Sequence, residues 1–286
     1  MSRSDTAVDV VPRTKSTRGF ALLGSELTVL FRRRRTQAML LALAAVPILI
    51  AVAVRLSNTS SGRGPAFLSS ISENGLFVAL TALTVSIPLF LPLTVGVVAG
   101  DTIAGEANLG TLRYLLIAPA GRLRLLLVKF AGAAAFCVAA TAIVVIVGVA
   151  IGALLFPVRP VTLLSGDTID GGQYAVRCLL LVAYVALSML GLSAIGLFLS
   201  TLTTVPVGAM AATVVLSALS QILDVLPQLE WLHPWLFSHY WLGIADLLTN
   251  PISFASFQSN ALLQLGYIAV FGTLAYGRFA TKDVLS

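Results

Sequence analysis

Charge is scarce in this sequence. Only 10% of its 286 residues are Asp, Glu, Lys or Arg, against roughly a quarter in a soluble domain, while 58% are hydrophobic and the mean hydropathy is +0.96. That balance excludes a water-soluble fold, because too few polar side chains exist to cover an aqueous surface. Cysteine is nearly absent too. Cys137 and Cys178 stand in or beside apolar runs without CxxC spacing, which argues against a disulfide framework and a zinc site. The two histidines, His233 and His239, form no HExxH or other metal-binding spacing, so no metal ligands are assigned. No GxxxxGK(S/T) phosphate loop occurs, so the chain does not cradle a nucleotide in that way, and no cofactor is expected on it.

What is there in abundance is uncharged apolar sequence. Charge-free stretches run over 36–54, 74–100, 130–158, 178–223 and 247–277, each long enough to cross a bilayer. The fourth, Cys178 to Leu223, holds 46 residues and would extend about 69 Å as one helix, roughly twice the hydrocarbon thickness. It is therefore two crossings. The turn falls at Ser200-Thr201-Leu202-Thr203-Thr204-Val205-Pro206, where polar and β-branched residues precede a proline suited to the first turn of a new helix. The expected spans are 37–56, 76–100, 127–155, 176–199, 206–223 and 260–278.

The cationic residues orient them. Eight Lys and Arg precede the first span, four lie in 101–129 and two near the C-terminus, whereas the other connections hold only Arg55, Arg63, Arg159 and Arg177. By the positive-inside rule both termini, the 101–129 connection and the 200–206 turn are cytoplasmic. The basic balance thus reports orientation, and no nucleic-acid partner is expected. The first apolar run follows four arginines, Arg32, Arg33, Arg34 and Arg35, with no small-x-small site soon after, and reads as a retained span rather than a signal peptide. The expected fold class is an all-α integral membrane protein. Residues 1–36 form a polar tail and an amphipathic segment, and 37–286 a six-helix transmembrane domain.

Three segments outside the spans carry information. Between Arg18 and Arg35, the residues Phe20, Leu23, Leu27, Leu30 and Phe31 recur at helical spacing, which fits an amphipathic helix in the cytoplasmic interface or the start of one long first helix. Trp231, Trp235 and Trp241 all fall in the last outer connection. They are expected, with Arg32 to Arg35, to anchor the chain at the membrane surfaces, as a lid over a pathway or as a passive belt. Gly96 with Gly100, and Gly148 with Gly152, give GxxxG spacings expected to serve packing within the chain. Pro88 and Pro92, one turn apart, are expected to bend the second span.

The connection after the second span reads Asp101-Thr102-Ile103-Ala104-Gly105-Glu106-Ala107-Asn108-Leu109-Gly110-Thr111-Leu112-Arg113-Tyr114-Leu115-Leu116-Ile117-Ala118-Pro119-Ala120-Gly121-Arg122, followed by Lys129. Gly110 can end a first helix, Thr111 can cap a short second one, and Pro119 with Gly121 can end that before the third span. The short piece, with Leu112, Leu115 and Leu116 beside Arg113 and Tyr114, suits either a groove on a cytosolic partner or the inner leaflet.

In Glu106, Gly110-Thr111-Leu112, Leu115-Leu116, Pro119, Arg122 and Lys129, and in the ending Phe279-Ala280-Thr281-Lys282-Asp283-Val284, the chain resembles the permease subunits of ABC-2-type ABC transporters. Ala120-Gly121 before Arg122 departs from the commoner pattern. The resemblance implies a permease half, directed to export of an apolar or amphipathic substrate. Its partners would be a separate ATP-binding subunit that holds the ATP, a second permease chain, identical or related, and membrane lipid. It also implies that the chain is not itself an enzyme and lies in the cell membrane of a bacterium. The coupling loop would comprise Asp101, Glu106, Gly110, Thr111, Leu112, Arg113, Tyr114, Pro119 and Arg122. Glu106 and Arg122 would make polar contacts at the ATPase, Gly110 and Pro119 would set the breaks, and Leu112, Arg113 and Tyr114 would face its groove.

Three rivals stand beside this reading. A secondary transporter or channel usually places ionisable residues within its spans, and the expected interiors here hold essentially none. A rhomboid-like intramembrane protease could use the serine of Gly191-Leu192-Ser193-Ala194, but that chemistry needs a histidine in reach, and both histidines fall in an outer loop. A membrane scaffold would have no need of the docking loop.

Overall fold

The computed structural model describes residues 18–57, 74–110, 121–158, 161–162 and 167–281. Among these, five helices are long and apolar enough to cross a membrane: Arg34–Leu56, Phe77–Asn108, Arg122–Leu155, Gly171–Leu202 and Pro206–Val225. The chain has the build of a helical membrane protein. In chain order the helices are α1 (Arg18–Arg32), α2 (Arg34–Ser57), α3 (Phe77–Asn108), α4 (Arg122–Leu155), α5 (Gly171–Leu202), α6 (Pro206–Val225) and α7 (Ala255–Thr281). Of the two readings of the N-terminal segment, a separate helix or the start of one long one, the chain breaks at Arg33, so α1 and α2 are separate, and Leu30 and Phe31 of α1 pack against the main core.

α7 occupies the expected sixth crossing but is not among the five apolar helices. Its composition is diluted by Asn260 and Gln264, both fully buried against the protein. Thr203–Val205 separates α5 from α6, with the Val205 amide donating to Thr203 Oγ1 at 3.0 Å and Pro206 opening α6. Beside the helices there is one short strand pair. Val161–Thr162 and Thr168–Ile169 pair antiparallel, Val161 opposite Ile169. Ile169 buries itself against Leu76 and Tyr174.

The core is built on α3, α4 and α5, where Leu83, Ile87, Leu91, Phe136, Val144, Leu181, Tyr184, Met189 and Leu192 are almost wholly buried. Both GxxxG spacings work inside the chain, as their small residues allow. A Cβ on Gly100 would lie 2.7 Å from the Met210 amide of α6, and one on Gly148 would lie 2.6 Å from the Ala79 Cα of α3. The bend expected of α3 takes the form of a π-helical stretch, Ser86–Phe90, around Pro88. The proline lacks the amide that regular helix requires there.

The connection from α6 to α7 contains three 3₁₀ turns, Pro227–Leu229, His233–Trp235 and Gly243–Leu248. Side chains of α5 and α7 fasten it. Tyr184 donates to the Tyr240 carbonyl, Gln264 Nε2 to the Phe237 carbonyl at 2.9 Å, and Tyr267 to the Trp235 carbonyl at 2.8 Å. Ser220 and Ser238 hydroxyls meet at 2.7 Å. Each bond satisfies a loop carbonyl or hydroxyl that lipid could not satisfy.

Candidate functional site

The sequence marks the two ends of the 111–120 connection, and the structure gives each end a rigid footing. At the first, Gly110 has φ +71° and its amide donates to the Ala107 carbonyl at 3.1 Å, closing α3. At the second, Gly121 has φ +71° and stands immediately before α4. A Cβ at either position would meet nothing within 4 Å, so it is the left-handed backbone, not crowding, that calls for glycine. Thr111, Leu112, Arg113, Tyr114 and Pro119 lie outside the described residues.

Around these footings is an ionic junction. Lys129 of α4 is buried, its side chain 5% exposed, and its ammonium lies 2.8 Å from Glu26 Oε1 of α1 and 3.0 Å from Glu106 Oε1 of α3. Arg33 reaches Asp101 at 3.2 Å and Glu106 at 3.9 Å, and Arg35 reaches Asp101 at 3.8 Å. Three carboxylates thus face three cations, and α1, the start of α2, the end of α3 and the start of α4 share one network. The Lys129 pairs, withdrawn from water, hold their geometry far more firmly than the half-exposed arginine pairs, which are worth little individually. A gap of about 30 Å³ among Glu26, Arg33, Asp101 and Lys129 has room for little more than water. The junction ties helices together and leaves little open space between them.

Two more fastenings reach it. Ser200 Oγ, at the end of α5, accepts from the Ile103 and Ala104 amides of α3 at 2.9 and 2.8 Å. Arg122 Nη1 donates to the Phe279 carbonyl at 3.1 Å and to that of Ala280, so the start of α4 grips the end of α7. The Phe279 ring is buried with Ile103, Leu125, Leu126 and Leu197 beneath that grip.

Of the residues marked in the sequence, Asp101, Glu106, Gly110 and Arg122 therefore come together at one end of the bundle. Glu106 and Arg122, implied as contacts to a partner, are both engaged within the chain. The arginine cluster divides: Arg33 and Arg35 reach carboxylates, while Arg32 and Arg34 have none within ion-pair distance among the described residues. Trp231 and Trp235 are 72% and 69% exposed. Trp241 requires correction. It is 2% exposed and donates its indole N–H to the Ser188 carbonyl at 3.1 Å, so it braces the loop from inside and cannot reach headgroups.

Sequence reasoning missed Glu26, the chief partner of Lys129, and Ser200. Glu26 did leave a signal, since its spacing places it on the Leu23, Leu27 and Leu30 stripe of α1, where an unpaired carboxylate would be costly. Ser193 donates back to the Met189 carbonyl at 3.0 Å and meets Cys137 Sγ at 3.3 Å, an ordinary helix-packing environment. His239 is engaged with Asp224 at 2.7 Å. Among the described residues, no group of three His, Cys, Asp or Glu side chains is placed to hold a metal.

Residues 42–285 match the family described as Protein of unknown function (DUF2705). The chain belongs to that family. The DUF2705 match begins within α2 and takes in every later helix, so Lys129, Asp101, Glu106 and Arg122 lie inside it, whereas Glu26, Arg33 and Arg35 precede it. No curated protein matches the chain.

Proposed function

We propose that this DUF2705 protein is the transmembrane subunit of an ATP-driven exporter of the ABC-2 type, moving an apolar or amphipathic substrate with energy from a separate ATP-binding subunit. It pairs with a second permease chain and lies in the bacterial cell membrane. Its six crossings count α7, and both termini are cytoplasmic. Supporting α7 as a crossing are its 27 residues, about 40 Å of helix, and the burial of Asn260 and Gln264 away from lipid.

The observation that carries the proposal is the ionic junction at the feet of the 111–120 connection. A loop that passes a partner's motion to the bundle works only if its ends cannot yield independently. Here one lysine joins α1, α3 and α4, and Arg122 joins α4 to α7. The resemblance of the loop itself, through Gly110-Thr111-Leu112 and Pro119, supplies the identity of the motor.

The test is to purify the tagged chain from its native membrane in mild detergent and identify what accompanies it, beside an Arg113→Glu/Tyr114→Ala variant that leaves the junction intact. We expect a phosphate-loop ATPase with the wild type and its loss from the variant at unchanged thermal stability. A stable wild-type complex without any ATPase would refute the reading.

A further inference from the structure

Between Arg177 and Arg278 the sequence contains no Lys or Arg, so His233 and His239 are the only side chains in that stretch able to carry positive charge. The fold brings them together in the connection from α6 to α7, with ring centroids 6.0 Å apart. His239 Nδ1 lies 2.7 Å from Oδ1 of Asp224, in the last turn of α6, and His233 Nε2 lies 3.1 Å from the Leu226 carbonyl just beyond that helix. A ring nitrogen facing an oxygen acceptor must carry its hydrogen. Neutral His239 is therefore the Nδ1–H tautomer, and a further proton enters at Nε2. The bond to Asp224 keeps its geometry in both states and changes in strength, from a neutral donor to a charged one.

The fastenings on the other helices have no such dependence. Arg177 of α5 donates to the Thr249 carbonyl at 2.9 Å and stays charged. Trp241 and Gln264 do not titrate, and the tyrosines Tyr184, Tyr240 and Tyr267 stay uncharged at neutral and acidic pH. Asp246 accepts from Ser256, and Glu230 is exposed and in no ion pair among the described residues. On the α6 side the connection is held by the Ser220–Ser238 hydroxyl pair and the two histidine contacts. The His239 and Asp224 side chains are 32% and 23% exposed, so protons from water reach both.

We propose that the pair of His239 and Asp224 is a proton-operated latch, which ties the connection to α6 when the imidazole is charged and slackens that one side as pH rises through the ordinary imidazole range. The sign follows from charge: an imidazolium and a carboxylate attract, whereas a neutral ring makes only an ordinary hydrogen bond. Protonation of His233 adds a like charge 6.0 Å away, in exposed surroundings where water screens it. The latch is independent of what the chain transports.

The full chain in detergent micelles is followed by hydrogen exchange with mass-spectrometric detection at about pH 5.5 and about pH 7.5, either side of the ordinary imidazole range, with rates corrected for the intrinsic pH dependence of exchange. Wild-type amides over 236–241 should open about fivefold more at the higher pH, the upper end for a partly exposed ion pair. Those over 244–249, beside the Arg177 grip, should not respond. Asp224→Asn, which keeps an acceptor but no charge, should abolish the pH response, as should His239→Gln, and His233→Gln should retain it. Equal wild-type protection at both pH values would overturn the proposal. So would a pH response that survives in Asp224→Asn or His239→Gln, or one that is lost in His233→Gln.

Discussion

Lys129 and Glu26 are 103 residues apart in the chain and 2.8 Å apart in the fold, with the lysine side chain only 5% exposed. A cation so withdrawn is stable only while its carboxylates remain. Glu26 and Glu106 in turn need it, since otherwise two like charges would share one site. Lys129→Met should therefore lower unfolding free energy by about 3–5 kcal/mol, the usual cost of breaking a buried pair. Adding Glu26→Gln should recover part of that loss, because it removes the stranded charge. Thermal unfolding in detergent reads both, and a loss below about 1 kcal/mol for Lys129→Met would mean that the joint is solvated.

Arg122 bonds the carbonyls of Phe279 and Ala280, which α7 itself leaves without helical donors. Arg122→Gln should raise hydrogen exchange of the amides over 276–281 by about tenfold or more, as expected when a charge-assisted hydrogen bond is lost. Unchanged exchange would show that the Phe279 packing alone holds the helix end.

Gly148 and Gly24 make a matched pair. A Cβ at Gly148 would stand 2.6 Å from the Ala79 Cα, whereas at Gly24 it would meet nothing within 4 Å. Gly148→Leu should cost at least about 1–3 kcal/mol through overpacking, and Gly24→Leu should stay within about 0.5 kcal/mol. Equal melting temperatures for the two variants would contradict the α3–α4 contact described.

The three tryptophans should separate in single-tryptophan variants. Trp241, 2% exposed, should emit at short wavelength and resist both aqueous and lipid-borne quenchers, while Trp231 and Trp235 should be quenched. Strong quenching of Trp241 would show that the loop lifts away from the Ser188 carbonyl.

Much of this was legible in the sequence, and the exceptions share a cause. The α5–α6 turn could be placed because Pro206 and the threonines before it act within one helical turn of themselves. Gly110 and Gly121 were likewise readable as breaks, each acting through its own φ. Glu26 with Lys129, and Ser200 with Ile103, were not readable as pairs, because nothing local records which distant helix a side chain will meet. Trp241 was misplaced because it shares its loop and residue type with Trp231 and Trp235. Only the tertiary fold turns one indole toward Ser188 and leaves the other two outside. The hairpin of Val161 and Ile169 was too short to leave a strand pattern.

The bond from Arg122 to the Ala280 carbonyl spans 158 positions. At a synthesis rate of about 5–20 residues per second, the start of α4 waits roughly 8–30 s for its partner to be made. During that interval its guanidinium is open to other ligands, and Leu125, Leu126 and Leu197 lack the Phe279 ring that will cover them. The bundle is thus fastened last at the foot of α4, which makes the docking of α7 the closing act of assembly.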